Sequence, residues 1–227
     1  MKGAMMPDPH DNVTDGEESS GAPVLCARHE GFDICLEGYD WELSRPDKMM
    51  EGLEDSRYAD ICGTDILAMA GVGWQFIADP VCFTAANQEK EVIASAWAAP
   101  MRTEDKHTGC NLTYAVDAKY EGRGLAKLLT AFAFLAADQM HPGMEFGNIE
   151  CRTDNEGSIA LATALGFMRY PEGDFSMPTV SAPKEIAFYG FRMEIDALRR
   201  SAHQVLEKKN MLAVLPLIQR TVPASQI

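Results

Sequence analysis

The sequence predicts an α/β domain, and three observations carry the prediction. Short apolar strands alternate with two helical stripes in the second half of the chain, an apolar hairpin precedes them, and the composition is that of a folded globular protein. Apolar residues make up 46% of the 227 and charged residues 24%, close to the average for soluble domains. That length suits one domain with extensions and is enough to bury a proper core. No apolar run is long enough to span a bilayer, and Met1-Lys2-Gly3 does not open an apolar signal segment, so a cytoplasmic protein is expected.

The formal net charge is −14, which argues against nucleic acid as a partner, because phosphates are held by clustered Lys and Arg. Residues 1–60 hold 15 Asp/Glu against 5 Lys/Arg, leaving 19 against 15 for the rest. Such a surface keeps a protein soluble and favours cationic partners. Six cysteines, at 26, 35, 62, 82, 110 and 151, form no Cys-x-x-Cys pair, and ordinary reduced thiols are expected. Cys26 with His29 and His107 with Cys110 have ligand-like spacing, but two isolated pairs do not make a zinc site, and no metal is expected.

Taken in order, the first 23 residues are rich in Asp, Glu, Ser, Gly and Pro and bury too little to order themselves, so a flexible acidic tail is expected. Residues 24–39 alternate apolar with polar and read as a strand. Residues 45–72 suit one or two short helices broken near Gly63. Segments 74–77, 81–84 and 92–97 read as strands, the last two forming a hairpin across the polar stretch 87–91. Residues 112–116 give another strand, which passes through a glycine-bearing link into a helix over 125–140. There Leu125, Leu128, Leu129, Phe132 and Leu135/Ala136 form one stripe. Next come a strand over 148–153, a short helix over 158–165 ended by Gly166, and a strand over 186–193. After Glu194, the spacing of Ile195, Leu198, Ala202, Val205 and Leu206 predicts a helix packed on the domain, with Arg199, Arg200, Lys208 and Lys209 on its solvent face. Residues 211–218, apolar and split by Pro216, need a cover. The division expected is a tail over 1–23, a domain over 24–197 and a C-terminal helical extension over 198–227.

The stretch Val116-Asp117-Ala118-Lys119-Tyr120-Glu121-Gly122-Arg123-Gly124-Leu125-Ala126 points to chemistry. A strand ending in two glycines that open an amphipathic helix creates an anion site: glycine lets the backbone approach a ligand, and free amides at the helix start point at it. A phosphate suits that arrangement. The pattern is neither a P-loop nor Gly-x-Gly-x-x-Gly, and Gly-x-Gly alone is also explained by a tight strand-to-helix turn. With its surroundings, however, the stretch resembles the Gln/Arg-x-x-Gly-x-Gly/Ala signature of the GNAT family of N-acetyltransferases, followed by a small residue and a Leu-rich helix; Lys119 takes the Gln/Arg place. A second stretch, Ile149-Glu150-Cys151-Arg152-Thr153-Asp154-Asn155-Glu156-Gly157-Ser158-Ile159-Ala160-Leu161 with Leu165-Gly166-Phe167, is similar to the family's strand, its Asn-x-x-Ala/Ser and its closing Leu-Gly-Phe. The resemblance covers residues 112–167 well, 24–100 only by element order, and the two ends not at all.

The resemblance implies a mixed, mostly antiparallel sheet of six or seven strands flanked by helices, with a splay between two central strands that admits acetyl-CoA as acyl donor. It implies that the amides around Gly122, Arg123, Gly124, Leu125 and Ala126 hold the pyrophosphate, with Arg123 and Lys127 adding charge, and that the Val116 backbone hydrogen-bonds the pantetheine arm. Asn155 would approach that arm and Ser158 would face it; Asn155 also suits a helix N-cap. Where many family members place a tyrosine as proton donor to the departing thiolate, this chain has Ala162. Tyr170 and Tyr114 are the tyrosines near by in sequence, and Tyr170 is carried as the candidate acid. An attacking amine must be neutral, so a carboxylate commonly removes its proton. Glu150 is the first candidate base, although its position also suits a solvent-facing strand residue, whereas His107 and Glu104 sit in a polar link as bystanders. Asp40, Glu42, Asp47, Glu51, Glu54, Asp55 and Asp60 would form an acidic wall on the acceptor side, suited to a polyamine, an aminoglycoside or a lysine side chain.

The expected function is transfer of an acetyl group from acetyl-CoA to a primary, cationic amine by direct attack. The acceptor is a small molecule or a protein, nucleic acid and membrane are not expected as partners, and a homodimer is left open. Two other readings stand beside it. One is a protein on the same fold that holds acyl-CoA without transferring the acyl group, favoured by Ala162; the other is an acidic interaction module acting through residues 1–60.

Overall fold

The structure, a computed structural model, describes residues 25–36, 74–77, 80–89, 91–178 and 185–214. Its elements run β1 (Leu25–His29), β2 (Phe32–Leu36), β3 (Trp74–Phe76), β4 (Val81–Ala86), β5 (Val92–Thr103), β6 (Thr108–Val116), α1 (Leu125–Met140), β7 (Phe146–Arg152), α2 (Glu156–Leu165), β8 (Met168–Arg169), β9 (Phe175–Pro178), β10 (Glu185–Glu194) and α3 (Ile195–Lys208). The strands form one sheet in the order β1-β2-β4-β5-β6-β7-β10-β8, with β3 beside β5 and β9 beside β10. Seven of the ten have five or more residues, and β3, β8 and β9 are short additions at the margins. The segments expected at 1–23 and 45–72, the acidic residues from Asp40 to Asp60, and the chain after 214 lie outside the described residues.

Every pairing is antiparallel except that of β6 with β7. Parallel neighbours need a crossover, and α1 supplies it. The parallel register holds only for Gly109↔Phe146, Cys110↔Gly147 and Asn111↔Asn148. Beyond that point β6 remains paired with β5 as far as Val116, and β7 with β10 as far as Arg152, but not with each other. The sheet is therefore split between its two central strands.

Small residues let α1 approach the sheet closely, since Ala94, Ala96 and Ala98 of β5 are fully buried. The expected stripe of α1 is buried, and so are Ala131, Ala133, Phe134 and Ala137 on its other sides. The helix is enclosed rather than half-exposed because α3 lies over it. Arg199 of α3 makes a bidentate pair with Asp138 of α1 at 2.7 Å for both bonds, and Ser201 Oγ donates to the Leu165 carbonyl of α2 at 2.6 Å. Leu198 fills the space over Gly147, where a Cβ would collide with it. The five residues that predict α3, Ile195, Leu198, Ala202, Val205 and Leu206, are its buried residues, and the larger ones contribute about 1.5–3 kcal/mol each. One difference is local: where one strand is expected over 24–39, the described residues 25–36 form two, β1 and β2, because Glu30 and Gly31 take left-handed φ values of 49° and 89° and reverse the chain. No described helix is long and apolar enough to cross a membrane.

Candidate active site

Where β6 and β7 part, a cleft of about 620 Å³ opens, lined by residues 111–116 of β6, the turn into α1, Glu150 and Arg152 of β7, and the start of α2. From Leu112 onward the β6 edge toward β7 has no strand partner among the described residues, so its peptide groups face the gap. The sequence makes the turn by placing glycine where the chain needs positive φ: Gly122 at 75° and Gly124 at 78°. Gly124 is the N-cap of α1 and offers no side-chain cap bond. The first amides of the helix are therefore left for an anion, which the helix dipole also favours.

The start of α2 forms the opposite wall. Asn155 Oδ1 accepts from the Ser158 amide at 2.9 Å, so this residue is an N-cap as well as part of the lining. The Tyr114 hydroxyl lies 2.7 Å from Ser158 Oγ, which in turn bonds Cys151 Sγ at 3.1 Å. Burial raises the Tyr114 pKa well above its ordinary value and pushes the Cys151 thiol up to about 11. Both groups therefore stay protonated near neutral pH, and Tyr114 places a protonated hydroxyl on the cleft wall.

The inner end of the cleft is polar. Asn111 and Asn148, the last pair before the strands part, are both buried. Asn148 Nδ2 approaches Asn111 Oδ1 at 3.4 Å and donates a short bond to Glu150 Oε1. Burial pushes the half-buried Glu150 carboxyl up to about 7, against bonds from Asn111 and Asn148 and the charge of Arg192. A carboxyl with that pKa is partly ionised at neutral pH and can take or return a proton there. Arg192 itself lies over the rings of Tyr170 and Phe146, 3.8 and 4.1 Å from their centroids.

The structure thus brings Val116, Gly122, Gly124, Leu125, Ala126, Lys127, Glu150, Asn155 and Ser158 to one cleft. Two residues singled out in the sequence are not in its lining. Arg123 is exposed, with its guanidinium over Phe32 and Tyr120 at 5.7 and 5.3 Å. Tyr170 lies across β10, its amide bonded to the Gly190 carbonyl at 2.8 Å and its ring against Arg192. Packing on that arginine keeps it from the cleft, and the tyrosines in the lining are Tyr114 and Tyr120. Ala162 is fully buried, so a hydroxyl at that position would enter the core. His107 pairs with Glu145 at 2.7 Å and Glu104 is exposed, both outside the lining. Asn111, Asn148 and Tyr114 went unassigned in the sequence. Their signal was two asparagines inside apolar strands, and it acquires meaning only once the 111↔148 register is known.

A mixed sheet opened between two parallel strands, over a glycine turn that starts a helix, is the frame of an acyltransferase. The acetyltransferase (GNAT) family model matches residues 42–167, more than half of the chain, and the protein belongs to that family. Among solved structures, the yncA protein of Salmonella typhimurium, determined with its cofactor acetyl-CoA, is 15% identical with a TM-score of 0.50, covering 73% of this chain and 95% of its own. NAA60 of Arabidopsis thaliana in complex with acetyl-CoA is 16% identical with a TM-score of 0.49, covering 72% and 99%. The ribosomal-protein-S5-alanine acetyltransferase of Vibrio fischeri is 14% identical with a TM-score of 0.48, covering 73% and 95%. Identities this low speak to the fold alone. No curated protein matches the chain.

Proposed function

We propose that the protein transfers an acetyl group from acetyl-CoA to a primary amine in the cleft between β6 and β7. The amides from Gly122 to Ala126 take the pyrophosphate, and the open edge of β6 near Val116 pairs with the pantetheine arm, which runs inward past Asn155 and Ser158. The thioester then lies toward the point where the strands part, beside Glu150. Glu150 accepts a proton from the incoming ammonium, the freed amine attacks the thioester carbonyl carbon, and the carbon–sulfur bond breaks to release coenzyme A as the nitrogen loses its second proton to solvent and becomes the amide. The Tyr114 hydroxyl, held by Ser158 on the cleft wall, is the proposed proton donor to the departing thiolate. Alignment of amine against thioester supplies much of the rate, as it does for well-oriented reactions generally.

The observation that carries this reading is Glu150: a carboxyl with its pKa raised to about 7, held by Asn148 on the wall of an open cleft. The overall charge of −14 supports a cationic acceptor, small molecule or protein, by raising its local concentration. One observation keeps a second reading in view. Ala162 supplies no hydroxyl and is buried, as in a protein that binds acyl-CoA without transfer. Release of free thiol from acetyl-CoA over a panel of polyamines, aminoglycosides and lysine peptides separates the two. Turnover with at least one amine supports transfer; a thermal shift with acetyl-CoA but no thiol release with any amine supports binding alone.

A further inference from the structure

The end of α3 brings positive charge to the glycine turn from outside the segment matched by the family. Lys209, which caps α3, has Cε and Nζ each 3.6 Å from the point a Cβ on Gly124 would occupy. Lys208 is close enough to Lys127 to add to the burial that lowers the Lys127 pKa. Arg123 stands on the same turn. Four cations from three segments thus converge in a chain whose net charge is −14.

Glu30 faces them, its carboxylate 3.2 Å from Lys209 Nζ, and Glu121 lies on the same turn in the cleft lining. The Glu30 pKa is lowered by Lys209 first, then by His29 and Arg123. These two carboxylates are outnumbered by the four cations, and convergence of like charge is unfavourable unless an anion joins it. The Lys209 side chain is 29% exposed. A lysine has three donors and can keep Glu30 while taking a phosphate oxygen.

We infer that Lys209, with Lys208 and Arg123 beside it, binds the adenosine 3′-phosphate of acetyl-CoA. The inference rests on the acyl-CoA reading above. In that reading the turn amides hold the pyrophosphate and the pantetheine runs inward along β6. The nucleoside must then project to the outer side of the turn, where Lys209 stands. The C-terminal helix is in this way part of the donor site and gives it a preference for coenzyme A over its dephospho form.

Calorimetric titration with acetyl-CoA and with 3′-dephospho-acetyl-CoA, on the full chain and on Lys209→Gln, tests the assignment. The parent should prefer acetyl-CoA by about tenfold or more, the scale of one charge-assisted contact. In Lys209→Gln that preference should fall to about threefold or less, while affinity for the dephospho form stays within about twofold. Glu30→Gln, which frees Lys209 from its partner, should tighten acetyl-CoA and leave the dephospho form unchanged. Equal weakening of both ligands in Lys209→Gln would place the lysine on the pyrophosphate and overturn the assignment, as would an unchanged preference. If the parent binds neither ligand, the acyl-CoA reading itself fails and the inference falls with it.

Discussion

At the outer end of the cleft the groups offered to the gap are backbone amides, presented by Gly122 and Gly124 at the start of α1. At the inner end they are side chains, Asn111, Asn148 and Glu150, brought from two strands that α1 joins in sequence and that pair directly only as far as Asn111↔Asn148. The first arrangement is encoded within a few consecutive residues and tolerates any side chain that leaves the amides free. The second depends on strand register and on burial, and a single atom change alters its proton balance. On the proposed reading, the contrast makes donor binding a property of chain geometry and acceptor chemistry a property of tertiary environment. Substitutions at the two ends should therefore fail in different ways.

The largest effect is expected at the outer end. Gly124→Val puts a β-branched residue at φ 78°, a conformation that costs roughly 1–2 kcal/mol for an ordinary residue and more for a branched one. Its side chain also enters the space between the turn and Lys209, whose Cε and Nζ lie 3.6 Å from the Cβ position. Calorimetry should show acetyl-CoA binding weakened by about a hundredfold or more, while circular dichroism retains the folded signal. Binding equal to the parent would make Gly124 a turn residue only.

Next in size is the stability of Glu150→Gln, which probes the inner end without any substrate. The folded pKa of about 7 lies above the ordinary carboxyl value of 4.5, so the folded state holds a proton that the unfolded state releases between those values. Stability from this group is full below pH 4.5 and is lost as pH rises through 7. Removing the charge should therefore raise stability by about 1–3 kcal/mol at pH 8 and by much less at pH 5, measured by urea unfolding at both values. A stability gain independent of pH would mean that Glu150 is solvated as an ordinary carboxylate.

The two tyrosines give the smallest effects and sharpen the inner end further. Tyr114→Phe removes the hydroxyl on the cleft wall and should lower kcat by about tenfold, less than a typical acid–base group because a thiolate departs readily. Tyr170→Phe keeps the ring that supports Arg192 and should change kcat by no more than about threefold. The reverse ranking in steady-state kinetics would restore Tyr170 as the acid.

The contrast between the two ends also explains what could be read in advance. The glycine turn, α1, Asn155 and Ser158 were legible because each role is fixed by neighbours in sequence: positive φ at two glycines, an apolar stripe, an N-cap. Helix α3 was legible for the same reason, with its five apolar positions all buried. The Asn111–Asn148–Glu150 group was only partly legible, because nothing local distinguishes Glu150 from a solvent-facing strand residue until Asn148 is seen to bond it. Tyr170 was misplaced because proximity in sequence does not reveal which side of β10 a side chain takes. Lys209 was read as a solvent-face residue, since its closeness to Gly124 arises from the docking of α3 on α1.

The pH dependence of thiol release in the parent and in Glu150→Gln, with one amine acceptor at saturating acetyl-CoA, tests the central claim most directly. A base must be ionised to act, so the parent's kcat/KM for the amine should rise with a limb near pH 7, the value burial gives Glu150, beside any limb from the amine itself. In Glu150→Gln that limb should vanish and the rate above it should fall by about a hundredfold. Parent and variant profiles that superimpose, limb included, would contradict Glu150 as the base and leave the inner end of the cleft without its chemistry.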